Sequence, residues 1–369
     1  MNKKLIKYIL SIGAAVILLY FSFRGVNWND FMESLRNCRW EWIGVAMLAG
    51  VISFWLRALR WRELLLPIDP DTTRKATFNA INIGYLANLV LPRIGEFVRC
   101  GFVTRHSATT LEITTGDNIV PKDAGPDETL QNRKKASYDK VLGTVVLERS
   151  WDVLTMLLLV TVMAVFMWNR FGNFFIDKIF RPFSDKIDMS LWGILTLTII
   201  ILAAMVWAVW HFRHRNALTR MVFSFAKGLW QGVASCFKMK KWWKFMIYTA
   251  LVWTMYWVMS LSVLNAVKGM DTAALTTDMA DSVAKLAGLG AMDALFLMLA
   301  GSLSSLVPVP GGFGAFHYIV AAALTSIYGV PFGMGIVFAT LSHESQTITQ
   351  LICGLWSYIS ESGQFIKDK

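Results

Sequence analysis

Long apolar runs, separated by short polar and basic segments, make up most of this chain of 369 residues. Several runs are long enough, at ~1.5 Å rise per residue, to cross a ~30 Å hydrocarbon core as an α-helix. Two other apolar stretches, 76–103 and 291–328, are interrupted by proline and glycine. The pattern predicts an all-α polytopic membrane protein with about six full transmembrane helices, over 5–23, 42–62, 141–168, 190–211, 243–264 and 332–358.

The distribution of lysine and arginine predicts the order of these spans, because cytoplasmic loops carry an excess of both residues. Lys3, Lys4 and Lys7 place the N-terminus in the cytoplasm, ahead of an uncleaved first span. The segment 169–189 carries charges of both signs and is expected outside. Three further basic clusters, at 57–75, 213–220 and 238–244, are assigned to the cytoplasmic side. The C-terminus is expected on the same side.

If the basic clusters are cytoplasmic, each of the two interrupted stretches must begin and end on the same side of the membrane. We expect 76–103 to be a re-entrant hairpin that enters from the cytoplasm and turns near Pro92. The stretch 291–328 begins and ends outside and turns at 308–312, either as a second re-entrant hairpin or as two short spans. Hairpins that enter from opposite sides are typical of transporters built from inverted repeats.

We interpret the whole chain, 1–369, as a single membrane domain. The polar stretch 104–140 is predicted to be a cytoplasmic loop. Apolar residues recur at helical spacing over 218–237, which predicts an amphipathic helix. This helix lies either in the cytoplasmic interface or against the helical bundle.

The composition agrees with a membrane domain. Charged residues make up 17% of the chain and hydrophobic residues 55%, with a net charge of +11. An ordinary soluble domain has about 25% charged residues, so the composition argues against a soluble enzyme and excludes a disordered chain. The 4 cysteines are dispersed, so neither a disulfide framework nor a zinc site is expected from their spacing.

A first charged motif follows Pro92 within an apolar stretch. Arg93, Glu96 and Arg99 are each three residues apart, so they share one face if a helix restarts after the proline. A helix N-terminus beside an arginine is a good site for an anion. The alternative is an ion-pair network that only fixes the hairpin.

A second charged motif lies in the inner half of a long apolar helix. Glu148 and Asp152 are four residues apart, and Arg149 is three residues from Asp152. Ionised groups are costly in lipid unless they are partnered inside the protein. We therefore expect this motif to face the first charged motif around one polar cavity open to the cytoplasmic half, with a purely structural network as the alternative.

Proline and glycine are concentrated at Pro308, Pro310, Gly311 and Gly312. Glycine allows positive φ and a close approach of backbone to a ligand. A glycine-rich turn that opens a helix can hold phosphate. A tight hairpin turn uses the same residues, so the motif alone leaves both functions open.

Three titratable residues lie in the last apolar segments. His317 follows the proline–glycine turn, and His343 and Glu344 lie midway along the last span. Because adjacent helical residues point ~100° apart, His343 and Glu344 are not expected to face one pocket together. A histidine in a wet cavity could couple transport to protons, or both histidines could simply hydrogen-bond neighbouring helices.

Four motifs follow one another along the chain. They are Arg57-Ala58-Leu59-Arg60-Trp61, Leu91-Pro92-Arg93-Ile94-Gly95-Glu96, Leu147-Glu148-Arg149 with Asp152, and Pro310-Gly311-Gly312-Phe313-Gly314. Together they resemble the transmembrane domain family of lysylphosphatidylglycerol synthases. This family is the flippase-like membrane half of bacterial aminoacyl-phosphatidylglycerol synthases and also occurs as a stand-alone protein. The resemblance covers nearly the whole chain, although His317 stands where many members have glutamate and 104–140 is longer than usual.

The resemblance implies a helical bundle in the bacterial cytoplasmic membrane that moves lipids between leaflets. The leading hypothesis is a translocase for an anionic or aminoacylated phospholipid or a polyprenyl-phosphate lipid. Arginines would attract the head group and acids would balance them, from the set Arg93, Arg99, Arg149, Glu96, Glu148 and Asp152.

Two alternatives stay open, a membrane enzyme acting on a lipid phosphate and an accessory subunit that transports nothing. The motifs supply no nucleophile–base pair and no set of metal ligands. No aminoacyl-transferase domain follows the last span. We therefore expect no enzymatic activity, no cofactor, no metal ion and no nucleic-acid partner.

Overall fold

The computed structural model describes residues 3–116, 136–168, 196, 239 and 241–367. Over these residues the chain is helical and contains no β-strand. The α-helices are α1 (Lys3–Phe23), α2 (Trp28–Asn37), α3 (Trp40–Leu65), α4 (Arg74–Val90), α5 (Gly95–Gly116), α6 (Tyr138–Phe166), α7 (Trp242–Lys268), α8 (Thr277–Ala287), α9 (Ala291–Leu303), α10 (Ala315–Tyr328) and α11 (Phe332–Lys367). Short 3-10 turns cover Thr272–Ala274, Ser304–Leu306 and Pro310–Gly312.

Three of the described helices, α3, α6 and α7, are long and apolar enough to cross a membrane unaided. Two bent helix pairs raise the number to as many as 5. The pair Ser11–Phe23 and Trp28–Asn37 bends by 88°, and the pair Thr277–Ala287 and Ala291–Leu306 bends by 105°. The chain is therefore a helical membrane protein with three to five candidate spans in its described part. The count of six stays a prediction, since the span at 190–211 lies outside the described residues.

Both interrupted stretches are pairs of helices joined by a non-helical break. Leu91 lies between α4 and α5 and is extended, with φ −131° and ψ 124°, because the following proline disfavours helical backbone there. The second break separates α9 from α10, which have 13 and 14 residues. At ~1.5 Å per residue each of these two helices is about 20 Å long, shorter than a ~30 Å hydrocarbon core. The placement of both pairs in a membrane stays a prediction.

The two ends of the polar stretch 104–140 are helical. Helix α5 continues to Gly116, and α6 begins at Tyr138. Residues 117–135 lie outside the described part of the chain, as do the predicted outer segment 169–189 and the predicted amphipathic helix 218–237.

The chain divides into two compact units. The first unit comprises Met1–Val145 and Trp243–Lys369, and the second is Val146–Trp242. In the first unit α11 lies against α10, α4 and α3, while α4 also packs on α5. Its core is apolar and fully buried, with side chains such as Leu264, Leu286, Leu297, Leu324, Ile336 and Phe338.

The described part of the second unit is mainly the C-terminal portion of α6. Large apolar side chains on this part are exposed, among them Leu158, Val165 and Phe166. Such a surface is typical of a membrane-facing helix.

Candidate functional site

The two helix breaks contact each other within the first unit. The guanidinium of Arg93, from the break after α4, donates a hydrogen bond to the carbonyl of Ser305 at 3.0 Å. A longer contact of 3.5 Å reaches the carbonyl of Leu306. These carbonyls belong to the 3-10 turn that follows α9, so Arg93 joins one break to the other.

Arg93 does not lie on α5, so the prediction that Arg93, Glu96 and Arg99 share one helical face is wrong. The helix restarts at Gly95, where the backbone N–H donates to Asn88 Oδ1 at 2.7 Å. Arg93 instead has φ 62°, in the left-handed region. A side chain disfavours this conformation, so the break holds Arg93 in a strained turn.

The proline–glycine break is packed tightly against α1 and also contacts α4. Gly311, Gly312 and Gly314 have φ values of 58°, 79° and 78°. A Cβ atom on Gly314 would lie 2.6 Å from the backbone nitrogen of Leu19 in α1. The Ser22 hydroxyl donates to the carbonyl of Gly314 at 3.1 Å. Glycine at these positions therefore serves both the turn and the close approach of two backbones.

His317, His343 and Glu344 converge beneath this break. The Nδ1 atom of His343 lies 3.1 Å from Oε1 of Glu344, and Nε2 of His317 lies 3.8 Å from the same oxygen. The two imidazole rings have centroids 5.1 Å apart. His317 and His343 are buried, whereas the Glu344 side chain is 36% exposed.

The expectation that His343 and Glu344 face different surroundings is therefore wrong. Their Cα–Cβ bonds diverge, but the glutamate side chain is long enough to bring its carboxylate back to the imidazole. The sequence analysis also found no set of metal ligands, yet one ligand atom from each of His317, His343 and Glu344 lies within 4.8 Å of the other two. The set comes from two different helices, α10 and α11, so chain spacing does not indicate it.

Arginines buried in the first unit stack on aromatic rings. Arg99 lies 4.6 Å from the centroid of the Trp61 ring, and Arg60 lies 5.6 Å from that of Phe245. Arg57 lies 5.6 Å from the Tyr85 ring centroid. All three arginine side chains are at most 6% exposed.

Arg57 and Arg60 are functional candidates that the sequence analysis missed. They were counted among the cytoplasmic charges that orient the spans, but they are buried along α3. The sequence feature that could have identified them is their spacing of three residues within an apolar helix, because two arginines with this spacing share one helical face. Arg57 also donates to the hydroxyl of Tyr256 at 3.1 Å, which ties α3 to α7.

The second charged motif belongs to the second unit. Glu148 is fully buried, and Arg149 lies 3.7 Å from Asp152 across one helical turn. Its clustering with Glu96 and Arg99 around one cavity stays a prediction.

Comparison with known proteins matches most of the chain to one family. The family model described as the lysylphosphatidylglycerol synthase TM region matches residues 8–116 and 129–354. No curated protein and no solved structure shows a significant match to the chain.

Proposed function

Because this chain belongs to the lysylphosphatidylglycerol synthase transmembrane-region family, we propose that it translocates an anionic or aminoacylated lipid between the leaflets of the bacterial cytoplasmic membrane. The observation that carries the proposal is the set of buried, ring-stacked arginines Arg57, Arg60 and Arg99.

Buried cations in a membrane domain are costly, and they usually mark a pathway for a charged ligand. A guanidinium binds a phosphate through two parallel hydrogen bonds and keeps its charge at all physiological pH values. An aromatic ring beneath a guanidinium stabilises the buried cation, and an anionic head group would meet the nitrogen atoms at its edge by exchange with their present partners. The three arginines thus offer a phosphate-bearing head group an environment that lipid tails cannot supply.

The two contacting breaks would act as the gate of this pathway. Irregular backbone is tolerated at membrane depth where it is buried in protein or lines a wet cavity. Arg93 connects the breaks through carbonyls of the second one, so a head group that competes for its guanidinium would loosen this connection. Arg149, with Asp152 and Glu148, stays a second candidate for head-group contact in the other unit.

Lipid movement by the purified protein tests the proposal. Proteoliposomes would contain phosphatidylglycerol with a fluorophore on one acyl chain, and a membrane-impermeant reductant would quench the outer leaflet only. We expect the protein to expose fluorophore from the inner leaflet, faster for phosphatidylglycerol than for phosphatidylcholine. Loss of one charge-assisted hydrogen bond costs ~1.5–3 kcal/mol, so Arg99→Gln and Arg60→Gln should each slow movement by about tenfold or more.

Arg36→Gln is the matched control, because Arg36 is exposed on α2 and its loss removes the same charge. Tryptophan fluorescence during thermal unfolding reports whether each variant is folded. Slow movement that only reflects a smaller folded fraction would contradict a head-group role for the arginines. A chemically altered lipid found by mass spectrometry would indicate an enzyme, and neither movement nor alteration would indicate an accessory subunit.

A further inference from the structure

We propose that His317, His343 and Glu344 form a binding site for a divalent transition-metal ion beneath the proline–glycine break. Two imidazole nitrogens and one carboxylate oxygen are ligands that suit zinc and its neighbours in the periodic table. The inference concerns a bound ion and does not depend on lipid translocation.

The hydrogen bond to Gly311 determines which nitrogen of His343 is available. Nε2 of His343 lies 2.9 Å from the carbonyl oxygen of Gly311. A carbonyl oxygen can only accept, so Nε2 carries the hydrogen. In the neutral ring Nδ1 then has a lone pair and no hydrogen.

That lone pair points toward an ionised carboxylate. Nδ1 of His343 lies 3.1 Å from Oε1 of Glu344, and both atoms are acceptors in these protonation states. Two acceptors at this distance repel each other unless a cation lies between them. A metal ion ligated by both atoms removes the repulsion, because its charge attracts both lone pairs.

The two distances to the Glu344 oxygen are close to the spacing expected for ligands of one ion. Zinc binds nitrogen and carboxylate oxygen at ~2.0–2.2 Å, so two ligands of a tetrahedral ion lie about 3.4 Å apart. His343 Nδ1 and Glu344 Oε1 are at 3.1 Å, and His317 Nε2 and Glu344 Oε1 are at 3.8 Å. The ligand atoms of His317 and His343 lie within 4.8 Å of each other, so binding of both to one ion requires the two imidazole rings to approach by up to about 1.4 Å.

The surroundings resemble those of a metal site in two further respects. A metal-binding histidine generally donates its other N–H to a backbone carbonyl or a carboxylate, as His343 does to Gly311. Aromatic rings enclose the cluster, with the Phe313 and Phe316 centroids 5.0 Å and 5.2 Å from that of His343. Such an apolar wall limits competition from water.

The exposed side of Glu344 leaves the cluster accessible to an ion. Its side chain is 36% exposed, whereas the His317 side chain is 2% exposed. Three protein ligands also leave one tetrahedral position open, as in zinc sites that bind water or an anionic oxygen. The protein therefore does not enclose the carboxylate side of the cluster, and an ion held there would have a position for an exogenous ligand.

Metal retention by the full-length protein tests the inference. The protein is purified in detergent through a tag without histidine, equilibrated with Zn²⁺, and freed of loose metal by gel filtration. We expect about one Zn²⁺ per chain by mass spectrometry, as three ligands from one chain imply. Co²⁺ in place of Zn²⁺ should give the intense visible absorption of a four-coordinate ion, and bound Zn²⁺ should raise the unfolding temperature.

The chain contains 5 histidines, which supply a matched control. Substituting His106, His211 and His214 together by glutamine should leave the bound zinc unchanged. His343→Gln and Glu344→Gln should each abolish zinc retention and the zinc-dependent rise in unfolding temperature. Glu344 is partly exposed, so its variant keeps the test valid even if a buried histidine variant fails to fold.

Two results would overturn the inference. One is wild-type protein that retains no more zinc than Glu344→Gln, which would mean that a proton rather than a metal ion lies between His343 and Glu344. The other is loss of zinc from the triple histidine variant, which would place the bound ion elsewhere in the chain.

Discussion

Arg93 combines an uncommon backbone conformation with long-range contacts. Its φ of 62° is the only positive value among the described residues other than glycine. The left-handed region costs a residue with a Cβ atom ~1–2 kcal/mol relative to glycine. Its side chain meanwhile reaches the carbonyl of Ser305 at 3.0 Å. The hydrogen bond of the Arg93 side chain thus stabilises the fold, whereas the backbone conformation of Arg93 destabilises it. Two substitutions at this position can separate the two effects.

Arg93→Ala and Arg93→Gly remove the same hydrogen bonds but differ in backbone cost. We expect Arg93→Gly to unfold at a higher temperature than Arg93→Ala, by an equivalent of about 1 kcal/mol, because glycine accepts the left-handed conformation. Both should reduce lipid movement in proteoliposomes, since neither offers a guanidinium for which a head group could compete. Wild-type movement by Arg93→Gly would show that the arginine side chain has no part in transport.

The position of Arg93 also shows what spacing along the chain cannot predict. Pro92 correctly indicated a break, because proline disfavours helical backbone before it. The restart of the helix at Gly95 depends on Asn88, whose side chain accepts the Gly95 N–H at 2.7 Å. A Cβ atom on Gly95 would also overlap the Gly84 carbonyl oxygen. Both constraints come from α4 packing against α5, which a one-dimensional pattern does not contain.

Two glycines with positive φ, Gly314 and Gly329, stand at the two ends of α10. Gly314 is required for two separate reasons, its φ of 78° and its 2.6 Å approach to the Leu19 nitrogen. Gly329, at the end of α10, has φ 65° but has no atom within 4 Å of a built Cβ. Gly329 has ψ 19° and lies in the left-handed helical region, whereas Gly314 has ψ −49° and lies outside it, so Gly314 has a larger backbone cost as well as a packing cost.

Alanine at each of the two glycines tests whether Gly314 is the more demanding position. Gly329→Ala should lose ~1–2 kcal/mol of stability, from the left-handed backbone alone. Gly314→Ala should lose at least a further ~1–3 kcal/mol, because the added methyl overlaps the backbone of α1 and its ψ of −49° is less accessible to alanine. Thermal unfolding in detergent, followed by tryptophan fluorescence, measures the difference. Equal unfolding temperatures would mean that α1 does not pack on the break as described.

Prolines and glycines indicated the breaks within both interrupted stretches, and apolar run length indicated α3, α6 and α7. The bends between α1 and α2 and between α8 and α9 were not predicted.

The second bend is stabilised by Asp293, whose carboxylate accepts the Gly290 N–H at 2.7 Å. The aspartate is only three residues from the glycine, so a capping pattern was available there. The meeting of His317 with His343, by contrast, depends on α10 lying against α11.

At the level of the whole molecule, the orientation of the chain depends on whether each helix pair crosses the membrane. If α4 and α5 enter and leave on one side, the segment 104–140 is cytoplasmic and 169–189 is outside. If α4 and α5 instead count as a single crossing, the basic clusters at 213–220 and 238–244 move outside. That arrangement opposes the excess of lysine and arginine normally found in cytoplasmic loops.

Single cysteines at Asp127 and Asp185 decide between these orientations. In a background without Cys38, Cys100, Cys236 and Cys353, an impermeant thiol reagent applied to intact cells should label Asp185→Cys and not Asp127→Cys. Inverted membrane vesicles should give the reverse result, because one crossing by α6 separates the two positions. A cysteine at Lys4 is the control and should label like Asp127→Cys, since Lys3, Lys4 and Lys7 favour a cytoplasmic N-terminus.

Labelling of Asp127→Cys and Asp185→Cys from the same side would exclude the proposed orientation. Opposite labelling, with Lys4→Cys on the side of Asp185→Cys, would mean that α4 and α5 do not form a hairpin open to the cytoplasm.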